Sequence, residues 1–269
     1  MKLFTNKKQL QTEIRKFNNI SFVPTMGALH KGHESIIRKS VKGPGKTLVS
    51  IFVNPKQFNN KRDLNTYPRD NKNDIKILKK LKVHYLYKPT YDDIYKFKTE
   101  KKIHLDRFSK ELCGQYRKGH FKGVVDVVNR FIEIIRPKTI MLGNKDFQQL
   151  YLIKKHIKKN KIKTKILQCK TIRDKYFIAY SSRLNKLNYV EKIKLIKVIK
   201  FLKKYKGNLL SKKQTFNFNE IKKKIISMGV NKVDYIKLID LRTLKRPRKN
   251  KFNLFYAFYI GKVRLIDNF

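Results

Sequence analysis

The first two-thirds of the chain alternate short apolar runs with amphipathic stretches, and that alternation leaves few folds open. The runs are Ile20–Val23, Leu48–Val53, Val83–Tyr87, Thr139–Leu142 and Lys165–Gln168. Each has the length and the β-branched or aromatic content of a buried strand. Between them, Lys8–Phe17, Glu34–Val41, Asn73–Leu81, Val124–Ile135 and Gln149–Lys159 carry apolar residues at helical spacing. Such alternation predicts an α/β fold, a parallel sheet with helices on both faces. After about residue 174 the texture changes. A lysine-rich helical stretch, Val190–Tyr205, is followed by a second at Asn219–Met228 and by alternating runs at Val233–Ile239 and Asn253–Ile260. The reading is two domains, residues 1–173 and a smaller α+β domain of residues 174–269.

Ligands of open parallel sheets bind at the carboxyl ends of the strands, near the switch in strand order. Three polar motifs stand at such ends. The first is Pro24-Thr25-Met26-Gly27-Ala28-Leu29-His30-Lys31-Gly32-His33, between the first run and a helix. A helix N-terminus offers free N–H groups and partial positive charge, and Gly27 and Gly32 let backbone approach a phosphate closely. His30 and His33, three apart, share one helical face. Their imidazoles suit phosphate oxygens on which charge builds in a transition state. The second motif is Asn54-Pro55-Lys56-Gln57, where Pro55 ends the strand and two amides become available. The third is Gly143-Asn144-Lys145-Asp146, followed by Phe147-Gln148-Gln149. Asp146 suits an N-cap, Lys145 suits a phosphate, and the glutamines open a helix at positions where solvated residues are common.

Two more segments qualify. Ser181-Ser182-Arg183, near the domain junction, combines two hydroxyls with a guanidinium suited to polyphosphate. Leu112–Val124 is polar and glycine-rich and reads as a mobile loop able to cover a cleft and exclude water.

The formal net charge is +48, which usually points to nucleic acid or an anionic surface. The excess is 53 Lys against 14 Arg and is spread along the chain. Precise nucleic-acid recognition favours clustered arginine forks. The composition, rich also in Asn and Ile, fits A+T-rich coding better than RNA binding. The basic field still attracts anionic substrates such as ATP. No apolar run reaches the length of a membrane span, and residues 1–8 lack the apolar core of a signal peptide, so the expected compartment is the cytoplasm. Cys113 and Cys169 are too few for a thiolate metal site or a disulfide framework. From the residues alone, a nucleotide-using ligase, a nucleotidyltransferase with another acceptor, and a basic nucleic-acid binder on a similar scaffold all remain open.

Taken together the motifs resemble the pantothenate synthetase (pantoate–β-alanine ligase) family. The matching runs are Pro24–His33, Ser50–Phe58, Tyr67-Pro68-Arg69, Gly119–Val124, Gly143–Leu150, Ser181–Arg183 and Arg264–Asn268, collinear and covering nearly the whole chain. The resemblance implies a Rossmann-like nucleotidyltransferase domain with a His-x-Gly-His signature, a C-terminal lid domain and a homodimer. It implies ATP as a substrate with Mg2+, and an acyl-adenylate route from (R)-pantoate and β-alanine to pantothenate. It makes His33 the proton donor, with His30 and Lys145 also catalytic. ATP would lie on Met26, Gly27, Ala28, Leu29, His30, Lys31, Gly32 and His33, and on Gly143, Asn144, Lys145 and Asp146. Ile172 would meet the adenine, and Tyr180, Ser181, Ser182 and Arg183 the polyphosphate. Gln57 would contact pantoate and β-alanine, Gln149 and Asn54 pantoate, and Asp74 is the candidate for outer contact with magnesium.

The chain departs from the family pattern at several positions. Asn144 stands for the usual Glu, Tyr176-Phe177 for an Asp-Gly pair, and Tyr180 and Leu184 flank the Ser-Ser-Arg run. Lys118 replaces Pro before Gly119-His120.

Overall fold

The computed structural model describes residues 1–213, 215–247 and 251–269. It divides into two compact units, Met1–Thr171 and Ile172–Phe269, and each is described by itself. The first unit runs β1 (Lys2–Phe4), α1 (Lys7–Ile14), β2 (Ile20–Thr25), α2 (Lys31–Val41), β3 (Lys46–Ile51), a 3-10 turn (Pro55–Gln57), α3 (Lys61–Asn65) and α4 (Asn71–Lys80). It continues with β4 (Tyr85–Tyr87), α5 (Tyr91–Tyr95), α6 (Cys113–Tyr116), α7 (His120–Ile135), β5 (Thr139–Gly143), a 3-10 turn (Asn144–Asp146), α8 (Phe147–Lys159) and β6 (Lys165–Cys169).

Its six strands form one sheet in the order β1-β4-β3-β2-β5-β6, and every pairing is parallel. This is the expected α/β architecture. Both faces are covered, which is why the central strands read as unbroken apolar runs. Phe22, Leu48, Val49, Leu86 and Ile140 are fully buried. The chain leaves β2 toward β3 on one side and reaches β5 on the other, so the strand order switches between β2 and β5. A crevice at the carboxyl ends of those two strands is the default ligand position.

The sequence reading ended the second strand at Val23, whereas β2 continues through Pro24 to Thr25. The Phe52 amide donates to the Thr25 carbonyl, so Thr25 faces β3 and Pro24 faces the other edge. There β5 pairs only with Ser21 and Phe22, so the missing proline N–H costs no ladder bond. β1 was not foreseen. It has three residues and pairs only with β4.

The second unit holds α9 (Tyr189–Leu210), α10 (Phe218–Ser227), β7 (Lys232–Ile239), β8 (Asn253–Ile260) and β9 (Val263–Asn268). The strands make an antiparallel sheet in the order β7-β8-β9. Its core joins Val198, Ile199 and Leu202 of α9 to Ile221 and Ile225 of α10 and to Leu254, Tyr256 and Phe258 of β8. The final matching run, Arg264–Asn268, lies in β9. Two of its charges are structural: Arg264 pairs with the buried Asp234 at 2.7 Å, and Asp267 takes a two-pronged contact from Arg173. Phe177, at a position where the family pattern has Gly, adopts φ +71°. A bulky residue there is strained. Its ring lies edge-on to Phe269, beneath Arg173 and beside Lys203, contacts that offset the strain.

Candidate active site

The three strand-end motifs of the first unit supply the site. After β2 the chain turns through Gly27 at φ +76° and Ala28 at φ +49° before α2 begins. A Cβ on Gly27 would lie 2.9 Å from an Asp74 oxygen and 3.1 Å from Ile51, so the turn admits glycine only. His30 is the N-cap of α2, and its Nδ1 accepts from the Gly32 amide at 3.1 Å. That bond assigns the ring proton to Nε2. His33 follows one turn later. The two rings stack with centroids 4.0 Å apart, so both imidazoles do share one face. Lys31 points to solvent.

Both imidazoles are neutral at pH 7. Burial, with help from the positive charge of Lys145, lowers the His30 pKa to about 4. His33 is lowered well below its ordinary value by burial, then by His30 and Lys145. The His33 Nδ1 is out of contact with solvent and has no hydrogen-bond partner among the described residues. A neutral imidazole stabilises an anion by donating one N–H, not by carrying charge. The cation here is Lys145, which follows β5 and pairs with the half-exposed Asp146 at 3.3 Å. Gly143 and Asn144 precede it on the same turn. Gly143 packs close to Ile36 of α2, which draws the two strand ends together.

Three expectations need correction. Asp146 makes no side-chain cap bond at the start of α8, because its carboxylate turns toward Lys145. Asp74 does not present itself to a metal. Its two oxygens accept from the Ala28 amide at 2.9 Å and the Leu29 amide at 2.7 Å, and the residue is 1% exposed. Asn54 has its amide fully engaged by the protein. Its NH2 group donates to the Gly123 carbonyl and to Gln57, and its oxygen accepts from the Lys56 amide and the Tyr95 hydroxyl. With all four positions of the amide used, Asn54 shapes the turn that carries Gln57.

Gln57 is buried. Its NH2 group reaches the Met26 sulfur, linking the β3 turn to the β2 turn. Its main-chain carbonyl accepts from His120 Nδ1 at 2.8 Å and from Arg117 at 3.2 Å, and Arg117 also contacts His120 Nε2 at 3.0 Å. That arrangement places the His120 proton on Nδ1, facing the carbonyl. Residues 112–124 are therefore not a long polar loop. They form α6 and the start of α7, and Leu112, Cys113, His120 and Phe121 are buried. Gln148, expected to be solvated, anchors this segment by accepting from the Cys113 amide and donating to the Phe108 and Glu111 carbonyls. Gln149, its half-buried neighbour, makes none of those contacts.

Ile172, Tyr180, Ser181, Ser182 and Arg183 belong to the second unit. The Tyr180 amide donates to the Ile172 carbonyl, and Ser181 caps a 3-10 turn over Ser182–Lys186 by accepting from the Arg183 amide. Arg117 and Tyr95 received no role from the sequence, His120 entered only within a matched run, and Gln148 was expected to be solvated. Only Gln148 had a usable signal, since it shares a helical line with the buried Leu152 and His156.

The pantoate-beta-alanine ligase family model matches residues 2–269. The chain belongs to that family. A pantothenate synthetase of Flavobacterium psychrophilum is 37% identical over the full chain and 99% of its own length, and one from Clostridium botulinum matches equally well. A Francisella tularensis pantoate-beta-alanine ligase, complexed with beta-gamma ATP and beta-alanine, superposes with TM-score 0.86 at 38% identity, covering 100% of this chain and 97% of that one. A Thermus thermophilus pantothenate synthetase reaches TM-score 0.88 at 24% identity, with 100% and 99% coverage, a likeness of fold alone. Among the described residues, no helix is long and apolar enough to cross a membrane.

Proposed function

We infer that this member of the family condenses (R)-pantoate with β-alanine at the expense of ATP, through a pantoyl adenylate, releasing AMP and diphosphate. The observation that carries the reading is the meeting of His30, His33 and Lys145 at the β2–β5 switch point of a family-matched chain. Pantoate's carboxylate is ionised at neutral pH and needs no base to attack the α-phosphorus. The first step is then positioning and charge stabilisation. The α2 N-terminus and the N–H groups of His30 and His33 receive phosphate oxygens, and Lys145 neutralises charge at the α-phosphate. The buried His33 is poised to gain a ligand partner. Gly143, Asn144 and Asp146 flank the nucleotide. The family resemblance adds Ile172, Tyr180, Ser181, Ser182 and Arg183 as candidate nucleotide contacts. Gln57 and Gln149 hold pantoate, and Gln57 also β-alanine. In the second step the β-alanine amine attacks the acyl carbon, loses its proton and expels AMP.

Among the described residues no cluster of three or more metal-ligating side chains occurs, and Asp74 is engaged elsewhere. Magnesium is therefore proposed to arrive on the ATP phosphates, not in a protein cage. A cytoplasmic homodimer completes the reading.

An AMP-release assay with each substrate omitted in turn tests the function. AMP release is expected to need both pantoate and β-alanine. His33→Ala, assayed beside it, is expected to keep its fold and lose at least about 10²-fold in rate. Near-normal turnover by that variant removes His33 from the chemistry.

A further inference from the structure

We propose that Asp74 is a positioning residue whose carboxylate occupies the anion-binding nest of the 27–29 turn and so fixes the loop that delivers His30 to the nucleotide. The proposal rests on the nucleotide lying at α2, as read above. Gly27 and Ala28 both have positive φ in a turn, and the consecutive Ala28 and Leu29 amides converge on one point. A carboxylate from another helix fills that point, with one oxygen on each amide.

The carboxylate is itself firmly presented. Asp70 caps the first turn of α4 by accepting from the Asn73 amide, and the Asp74 amide donates to the Asp70 carbonyl at 2.9 Å. Leu78 of α4 and Leu81, its C-cap, pack in one core cluster with Val23, Leu29, Ile37 and Ile51. The clamp thus ties α4, β2, β3 and the entrance of α2 into one body. Two consequences follow. The nest is already filled, which directs a phosphate onward to the N-terminus of α2. And a hydrated magnesium ion, which sheds water reluctantly, has no approach to a carboxylate that is 1% exposed.

Asp74→Asn replaces one acceptor oxygen with an NH2 group that opposes a loop amide. The expected result is a roughly 10- to 100-fold fall in kcat/KM for ATP, since small displacements of a positioning loop have effects of that order. The KM for β-alanine and the Mg2+ concentration giving half-maximal rate stay unchanged, and exchange of the Ala28 and Leu29 amides with deuterium accelerates. Wild-type kcat/KM in a folded D74N protein overturns the proposal. So does recovery of its activity by added Mg2+, which makes Asp74 a metal contact. If D74N does not fold, amide exchange in the unaltered protein decides. Protection of Ala28 and Leu29 comparable to β2 supports the clamp, and exchange at the rate of an open loop refutes it. That measurement needs no turnover, so a protein that releases no AMP loses the functional reading while the clamp is still tested.

Discussion

Gly27 concentrates the constraints on the 26–29 turn into one residue. Its φ of +76° lies in the left-handed region, and a Cβ would press on both Asp74 and Ile51. Left-handed strain and a close contact together cost about 1–3 kcal/mol. Gly27→Ala is therefore expected to lower unfolding stability by that amount and to weaken ATP binding, read by denaturant titration and by the KM for ATP. Unchanged stability would mean that the turn tolerates a side chain after all. The need for glycine here was legible, because a strand, two glycines and a helix in succession imply close backbone approach. The roles of Asp74 and Asn54 were not. Their partners lie 45 and 46 positions away for Asp74 and 69 for the Gly123 carbonyl held by Asn54. Carboxylates and amides that bind backbone leave no periodic trace, so a residue that supports a site reads like one that touches the ligand.

At the level of elements, two glycines within helices separate propensity from packing. Gly207 in α9 has open space where its Cβ would be, and Gly123 in α7 does not. Its Cβ would meet the Lys56 carbonyl oxygen at 2.2 Å and the Gln57 amide at 2.9 Å. Alanine gains about 1 kcal/mol over glycine in a helix interior. At Gly207 nothing opposes that gain, so Gly207→Ala is expected to raise stability by about that much. At Gly123 overpacking costs about 1–3 kcal/mol and outweighs it. Gly123→Ala is expected to lower stability and to raise the KM for pantoate, because the helix pushes on the turn that carries Gln57. Opposite shifts in melting temperature check the pair, and equal shifts would contradict the packing argument. The central strands and long helices were legible because burial on one or two faces imposes a period. β1 was missed because three residues on a sheet edge carry too little pattern. β9 was missed because its charges, Arg264 and Asp267, disguise a buried strand by pairing with Asp234 and Arg173. The same limit hid the packed segment after residue 112, whose order comes from Gln148 on a distant helix.

For the whole molecule the dominant quantity is charge, and its consequence is a stability that falls in mild acid. A chain of net charge +48 repels itself at every pH near neutrality. Against that background three histidines are kept neutral by burial. His156 is the clearest structural case. It is 1% exposed, its Nδ1 accepts from the His104 amide, and its Nε2 faces the Asn129 oxygen. Burial first, and the nearby His104 second, lower its pKa from 6.5 to about 4. His30 is lowered to a similar value, and burial lowers His33 well below its ordinary value. An unfolded chain protonates these groups near pH 6.5, while the folded chain protonates His156 and His30 only at about pH 4 and keeps His33 neutral well below 6.5. Below pH 6.5 the unfolded state therefore binds more protons, and unfolding becomes easier as pH falls. For His156 alone the loss between pH 7 and pH 5 is about 2 kcal/mol. The measurement is urea unfolding at pH 7 and pH 5 at one ionic strength, because screening of so large a charge would otherwise mask the titration. A lower midpoint at pH 5 is expected, with His156→Gln recovering part of the difference. Equal midpoints at the two pH values would show that the buried imidazoles are not held neutral by the fold.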